Sequence, residues 1–278
     1  MPDLVDPEIW VADATDFLLS LPAGSADLVA LDPPWGQTAA GWDVPLDMAE
    51  LRRGIDHASH DGTVVAMHSQ GMFTAKTMVA WADIWRYNLI WNKRQVRGFL
   101  NANRQPLRCH EDIVIFARKG GQVTYNPQFT YGHKPLNSRG KRRATPRTEQ
   151  VYGTFENTPV DPETATRRHP RSIIEVPAVK NTLFSVQKPV GLLDWLIKTY
   201  TNEGDIVVDP TMGSGTALVS GARLGRLVIG NDVYWEQVRL TQQRLRDEAG
   251  VDVEARELEL VDGVLPEPEA VAAQLSLL

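Results

Sequence analysis

Cysteine is nearly absent: Cys109 is the single one in 278 residues. One thiol excludes an internal disulfide framework and any metal site built on a cysteine cluster, and it fits a reducing compartment. Histidine is sparse too. The six, at positions 57, 60, 68, 110, 133 and 169, show no ligand spacing, so no metal is predicted. No apolar run approaches the roughly 20 residues that span a bilayer, which predicts no membrane partner. The opening Met1-Pro2-Asp3-Leu4-Val5-Asp6 is acidic and lacks the basic-then-apolar pattern of a secretory leader. A cytoplasmic location is therefore expected. Internal repeats and low-complexity blocks are also missing.

Positive charge is scarce on average, with a net charge of −6. The average conceals an asymmetry. Between Lys93 and Arg147, thirteen Lys or Arg stand against two acids, Glu111 and Asp112, a net +11 that leaves −17 for the rest. Such a stretch suits a polyanion. Its candidate phosphate contacts are Lys93, Arg94, Arg97, Arg104, Arg108, Arg139, Lys141, Arg142 and Arg143. Interleaved Tyr125, Phe129, Tyr131, Tyr152 and Phe155 strengthen a nucleic-acid reading.

A hydrophobic fraction of 42% is enough for a large α/β core. Short apolar strands alternate with helical patterns within residues 1–117 and again within 178–249, which read as the two parts of one core. Between them, residues 118–177 are basic and rich in proline, and read as an inserted recognition region. Residues 250–278 form an acidic tail.

Two strand ends carry the chemistry. The first is Leu31-Asp32-Pro33-Pro34-Trp35-Gly36, after the apolar run Ala26–Leu31. Two prolines cannot donate to a ladder and they fix φ, so the strand stops in a stiff turn. That turn offers a carboxylate, rigid backbone carbonyls and a large flat ring. An exocyclic amine on a nucleobase is a poor nucleophile because its lone pair is delocalised into the ring. Asp32 can accept one amino hydrogen and the Pro33 carbonyl the other, which localises the lone pair. Trp35 can stack on a base taken out of its duplex.

The second is the strand Asp205–Val208, followed by Asp209-Pro210-Thr211-Met212-Gly213-Ser214-Gly215-Thr216 and a helix. Gly213 and Gly215 let the backbone approach a ligand closely, and the helix N-terminus suits a carboxylate or phosphate. Asp232, at the end of the next strand, can accept from ribose hydroxyls. Glycines plus a distal acid also describe dinucleotide binding. The Asp209-Pro210 strand end does not fit that fingerprint, and no Lys follows Gly215 to make a Walker loop.

In this order the two motifs resemble the β-class amino-methyltransferases of DNA, which act on adenine N6 or cytosine N4. Further stretches resemble a phage or prophage branch of that family: Gly98-Phe99-Leu100-Asn101-Ala102, His110-Glu111-Asp112-Ile113, Thr124-Tyr125-Asn126-Pro127-Gln128 and Gln187-Lys188-Pro189. The resemblance spans residues 8–247. It implies a doubly wound, mixed seven-stranded sheet with helices on both faces, S-adenosylmethionine as cofactor and double-stranded DNA as substrate. It admits a homodimer.

By the same resemblance, Asp32, Pro33, Pro34 and Trp35 form the catalytic turn. Asp209, Pro210, Thr211, Gly213, Ser214, Gly215 and Thr216 hold the methionine part of the cofactor, and Asp232 its ribose. Lys188 touches the cofactor carboxylate and Asp13 lies near the adenine. Two departures stand out. Phe184-Ser185-Val186 replace the His-Pro-Thr usual before Gln-Lys-Pro, and Trp35 replaces a Tyr or Phe. Adenine N6 is the favoured target, with cytosine N4 as the alternative. An RNA adenine methyltransferase and a non-catalytic DNA-binding sensor of the cofactor stay open.

Overall fold

In the computed structural model, the described residues are 7–135, 165–180, 182 and 186–258. Their strands are β1 (Glu8–Val11), β2 (Ala26–Leu31), β3 (Ser59–Ser69), β4 (Trp85–Arg97), β5 (Arg108–Phe116), β6 (Ile173–Glu175), β7 (Ile206–Asp209), β8 (Leu227–Asp232) and β9 (Ala255–Glu257). The principal helices are α1 (Ala14–Ser20), α2 (Met48–Ala58), α3 (Met72–Ala80), α4 (Val190–Tyr200), α5 (Thr216–Arg223) and α6 (Trp235–Arg244).

The strands form one mixed sheet in the order β6-β4-β5-β3-β2-β7-β8-β1-β9. β5 runs antiparallel to both β3 and β4, and every other pairing is parallel. The expected sheet has seven strands, whereas nine are found among the described residues. The two extra ones, β6 and β9, are three-residue edge strands. Segments that short show no periodicity a reader could detect.

Alternation along the central strands sorts the core into two layers. Leu28 and Ala30 of β2 pack with Leu192, Leu196, Leu218 and Val238 on the α4–α6 face. Val29 and Leu31 pack with Phe17, Leu51, Ile55 and Trp81 on the α1–α3 face. This is the period of a strand buried on both sides, which makes the run Ala26–Leu31 continuously apolar apart from Asp27. Asp13 and Asp47 cap α1 and α2, each accepting from two backbone N–H groups in the first turn.

The chain divides into two compact units, Met1–Asn126 with Ser172–Leu278, and Pro127–Arg171. The second unit is narrower than the expected insertion at 118–177. At one border, Asn126 N–H donates to the Thr199 carbonyl at 2.7 Å. At the other, β6 joins the sheet beside β4, with Trp91 opposite Ile174. Within the smaller unit, Thr130 and Arg168 form an antiparallel bridge, and Arg167 lies 4.1 Å over the Phe129 ring. Of the basic candidates, Arg139, Lys141, Arg142 and Arg143 lie outside the described residues, as do Phe184 and Ser185. No helix among the described residues is long and apolar enough to cross a membrane.

Candidate active site

The neighbouring strands β2 and β7 are parallel, with Leu28 opposite Val207 and Val29 opposite Val208. Asp32 and Thr211 each follow three residues after the last pair, so the two motifs must emerge side by side. Asp32 N–H indeed reaches Thr211 Oγ1 at 3.3 Å. A cavity of about 1120 Å³ opens there, at the carboxyl ends of the strands. Ligands of open α/β sheets bind at this edge. Of the residues assigned above to the catalytic turn and the cofactor, all line this cavity except Gly215.

The catalytic-turn side is a charged cluster set in an aromatic wall. Lys188 Nζ hydrogen-bonds Asp32 Oδ2, lies 3.8 Å from Glu111 Oε2 and sits 5.5 Å over the Trp35 ring. A buried ammonium needs carboxylates, and Asp32 and Glu111 are the ones within reach. Burial pushes Lys188 down, but Asp32, Glu111 and the more distant Asp209 outweigh it and hold the ammonium above its usual range. The ammonium of Lys93 hydrogen-bonds Glu111 and lies 5.0 Å over the Trp91 ring.

Trp35 is half-buried, and its Nε1–H donates to the His68 carbonyl at 3.2 Å. The turn is braced from behind by Asp43. Its carboxylate accepts from the N–H groups of Gly36, Gln37 and Thr38 at 2.8, 2.8 and 2.7 Å. Burial opposes ionisation of Asp43, but those N–H groups and the Thr38 hydroxyl win and lower its pKa. His68 lines the cavity with neither ring nitrogen partnered among the described residues. Burial first, then Lys188, pushes its pKa down to about 3. Its imidazole is thus neutral at pH 7.

The glycine-loop side presents buried acceptors to the cavity. Asp209 is buried and pushed well above the usual carboxylate range by that burial, with Asp32 and Asp232 adding to the effect against the Thr211 N–H. Asp232 accepts from Gly213 N–H at 2.9 Å and Tyr234 N–H at 3.0 Å, which closes the loop. Burial nevertheless raises its pKa.

Asn231 sends its amide to the carbonyls of Ala12 and Pro210, both at 3.1 Å. Asn231 Oδ1 and Gln237 Oε1 are buried acceptors on cavity-lining residues, unpartnered among the described residues. Gly215 adopts φ +69°, and a Cβ there would lie 2.4 Å from Thr241 Cγ2. Only glycine fits that position. Buried Arg244 locks the loop from below, donating to the Ser214 carbonyl at 2.5 Å and to Thr216 Oγ1 at 3.0 Å.

The remaining candidates divide between the cavity and the surface around it. Asp13 lines the cavity while its Oδ1 caps α1. Arg94 pairs with Glu175 at 2.7 Å. Arg97 lines the cavity, and Arg104 and Arg108 are exposed beyond it. Sequence reasoning missed His68, Asp43, Asn231 and Arg244. None belongs to a motif, and an isolated buried His or Arg carries no signature in sequence. No group of three His, Cys, Asp or Glu suited to a metal occurs among the described residues.

Comparison with known proteins places this geometry. A model described as DNA methylase, for N6 and N4 amino-methyltransferases, matches residues 48–243. The type II methyltransferase M1.MboII of Moraxella bovis is 25% identical over 244 residues, covering 80% of this chain and 90% of that protein. The DNA adenine methyltransferase YhdJ of Escherichia coli K12 is 24% identical, covering 84% and 80% respectively.

Among solved structures, a DNA modification methylase from Thermus thermophilus, TTHA0409, superposes with TM-score 0.61 at 19% identity, covering 90% of this chain and 99% of that one. PvuII cytosine-N4 DNA methyltransferase superposes with TM-score 0.59 at 12% identity, covering 92% and 96%. With the methylase model spanning most of its length, the chain belongs to the N6/N4 DNA methylase family, the amino-methyltransferases of DNA.

Proposed function

We propose that the chain methylates adenine N6 in double-stranded DNA, with Asp32, Pro33 and Trp35 acting on the base and the Asp209–Thr216 loop holding the methyl donor. The observation that carries this reading is the meeting of both strand ends in one cavity, with Asp32 N–H 3.3 Å from Thr211 Oγ1. S-adenosylmethionine supplies an electrophilic sulfonium methyl group when bound. The residues present fit it. The Asp209 carboxyl is buried on the wall of the cavity, and the ammonium of the methionine part would oppose the burial that disfavours its charge. The unpartnered Asn231 Oδ1 and Gln237 Oε1 can take donors, and Asp232 keeps lone pairs for ribose hydroxyls.

The chain's own groups then do the following. Trp35 offers a bicyclic face to a base outside its stack, and a purine covers more of that face than a pyrimidine. Asp32 accepts one amino hydrogen and the Pro33 carbonyl the other. Lys188 engages Asp32 Oδ2 and so fixes the rotamer of the acid. The surplus proton leaves the methylated nitrogen. No covalent adduct with the enzyme is required, and Cys109 is exposed and does not line the cavity.

One relative's name supports adenine, that of the DNA adenine methyltransferase YhdJ. The likeness to PvuII cytosine-N4 methyltransferase supports cytosine N4 as the second reading. The cytoplasm of a bacterial or phage-infected cell is the compartment in which the reading applies, and the reading is compatible with a homodimer.

The test is transfer of labelled methyl from S-adenosylmethionine to duplex DNA or to RNA, followed by nucleoside analysis. N6-methyladenine from DNA supports the reading, and N4-methylcytosine replaces it with the second. Label in RNA alone, or cofactor binding without transfer, overturns it. Asp32→Ala should lower turnover by about a thousandfold or more while cofactor affinity stays within a few-fold.

A further inference from the structure

The β4–β5 hairpin carries a feature that the methyl-transfer chemistry does not use. Both strands run on past the sheet. Asn92 pairs with His110, but the next pair is Arg97 with Arg108. Four residues, 93–96, therefore stand against Cys109 alone. Arg94 takes φ +53° in this bulge, and its N–H donates to Asn92 Oδ1 at 3.1 Å. Bulges of this kind bend a strand and re-aim its side chains beside active sites.

Past the bulge, Gly98 turns the chain at φ +82° into a short 3₁₀ turn, Phe99–Asn101. The tip is apolar and bare. Phe99 is 75% exposed and Leu100 85%, with Val96 at 59% behind them. The sides are basic, with exposed Arg97, Arg104 and Arg108. Folding alone gives no reason to hold two large apolar side chains out in solvent on a basic arm.

We propose that Phe99 and Leu100 form a wedge that enters duplex DNA beside the target base and fills the space that the base vacates. Three observations commit this surface to DNA rather than to another occupant. The arginines flanking the tip complement phosphates on either side of a base step. Arg97 lines the cavity that receives the base, and Phe99 lies two residues further along, within about 7 Å of chain at 3.3 Å per residue. The reaction itself needs the base out of its stack, and apolar wedges inserted between base steps stabilise that state.

This inference rests on the proposed function only in that DNA is the substrate and a base must leave the duplex. It applies equally to adenine and cytosine. The experiment compares wild type with Phe99→Ala/Leu100→Ala on two duplexes. One is fully paired, and the other carries a mismatch opposite the methylated position once that position is mapped. On the paired duplex the double variant should lose at least about tenfold in kcat/KM, because the cost of unpairing is no longer offset. On the mismatched duplex, where that cost is already met, it should come within about threefold of wild type. Cofactor affinity should be unchanged, and the conservative Phe99→Trp should keep most of the activity on paired DNA.

Equal loss on both duplexes, or no loss on either, overturns the wedge. So does a fall in native mass of the double variant, which would assign the tip to a second copy of the chain. A wild type that methylates neither duplex would instead defeat the functional reading, so the two failures are distinguishable.

Discussion

Lys188 holds the cavity's charged residues together. Its ammonium bonds Asp32 and faces Glu111, whose own second partner is Lys93. Removing the ammonium leaves Asp32 without its partner and buried Glu111 with Lys93 alone. Lys188→Met should therefore destabilise the fold by about 3 kcal/mol or more and lower activity steeply, read by denaturant melts and methylation kinetics. Because Lys188 is raised above its free value of 10.5, its stabilisation is complete below that pH and is lost as pH rises through the higher folded value.

His68 behaves in the opposite way. In the unfolded chain it binds a proton below pH 6.5, whereas in the fold it refuses one until about 3. The unfolded state thus binds more protons across that window, and stability falls as pH drops through it. Between pH 7 and 5 this contributes a loss of about 2 kcal/mol, which His68→Asn should abolish in the pH dependence of unfolding. The sequence displays Asp32 and Asp209 through their prolines and glycines. It does not display His68, because a lone histidine in an apolar strand looks the same whether its nitrogens are bonded or bare.

At the level of elements, the parallel pairing of β2 with β7 creates the site. Their runs of apolar residues and the turns that end them are legible in the sequence, and so are the helices that follow. Which strand lies beside which is not, since Leu28 and Val207 are 179 positions apart and nothing local encodes the pairing. The hairpin is legible only in part. Residues 92–110 read as a basic, polar connection, yet the ladder continues through an irregular bulge that has no period to detect.

The glycine loop is held by packing as much as by its own conformation. Gly215→Ala would strain φ +69° and drive a methyl into Thr241, so it should cost about 2 kcal/mol or more and weaken cofactor binding. Calorimetric titration with the cofactor and a thermal melt report the two effects separately.

For the molecule as a whole, charge segregation gives a chain of net −6 a basic stretch suited to the DNA that the proposed function requires. Of the hairpin's basic residues, Arg97 lines the cavity and Arg104 and Arg108 are exposed outside it, while Lys93 pairs with Glu111 and Arg94 with Glu175. A count of charges cannot tell a cation consumed by an internal pair from one left for phosphate. Neutralising Arg104 and Arg108 together should lower the slope of log K against log salt by about two, roughly one for each phosphate left without its arginine. An unchanged slope would remove both from the interface.

The proposed function turns on a single carboxylate after β2 that activates an amine beside a donor held at the end of β7. Single-turnover methylation by Asp32→Asn, with cofactor affinity measured on the same sample, tests it most directly. The methyl-transfer rate should fall by about a thousandfold at near-native cofactor affinity. A rate within about tenfold of wild type would contradict it.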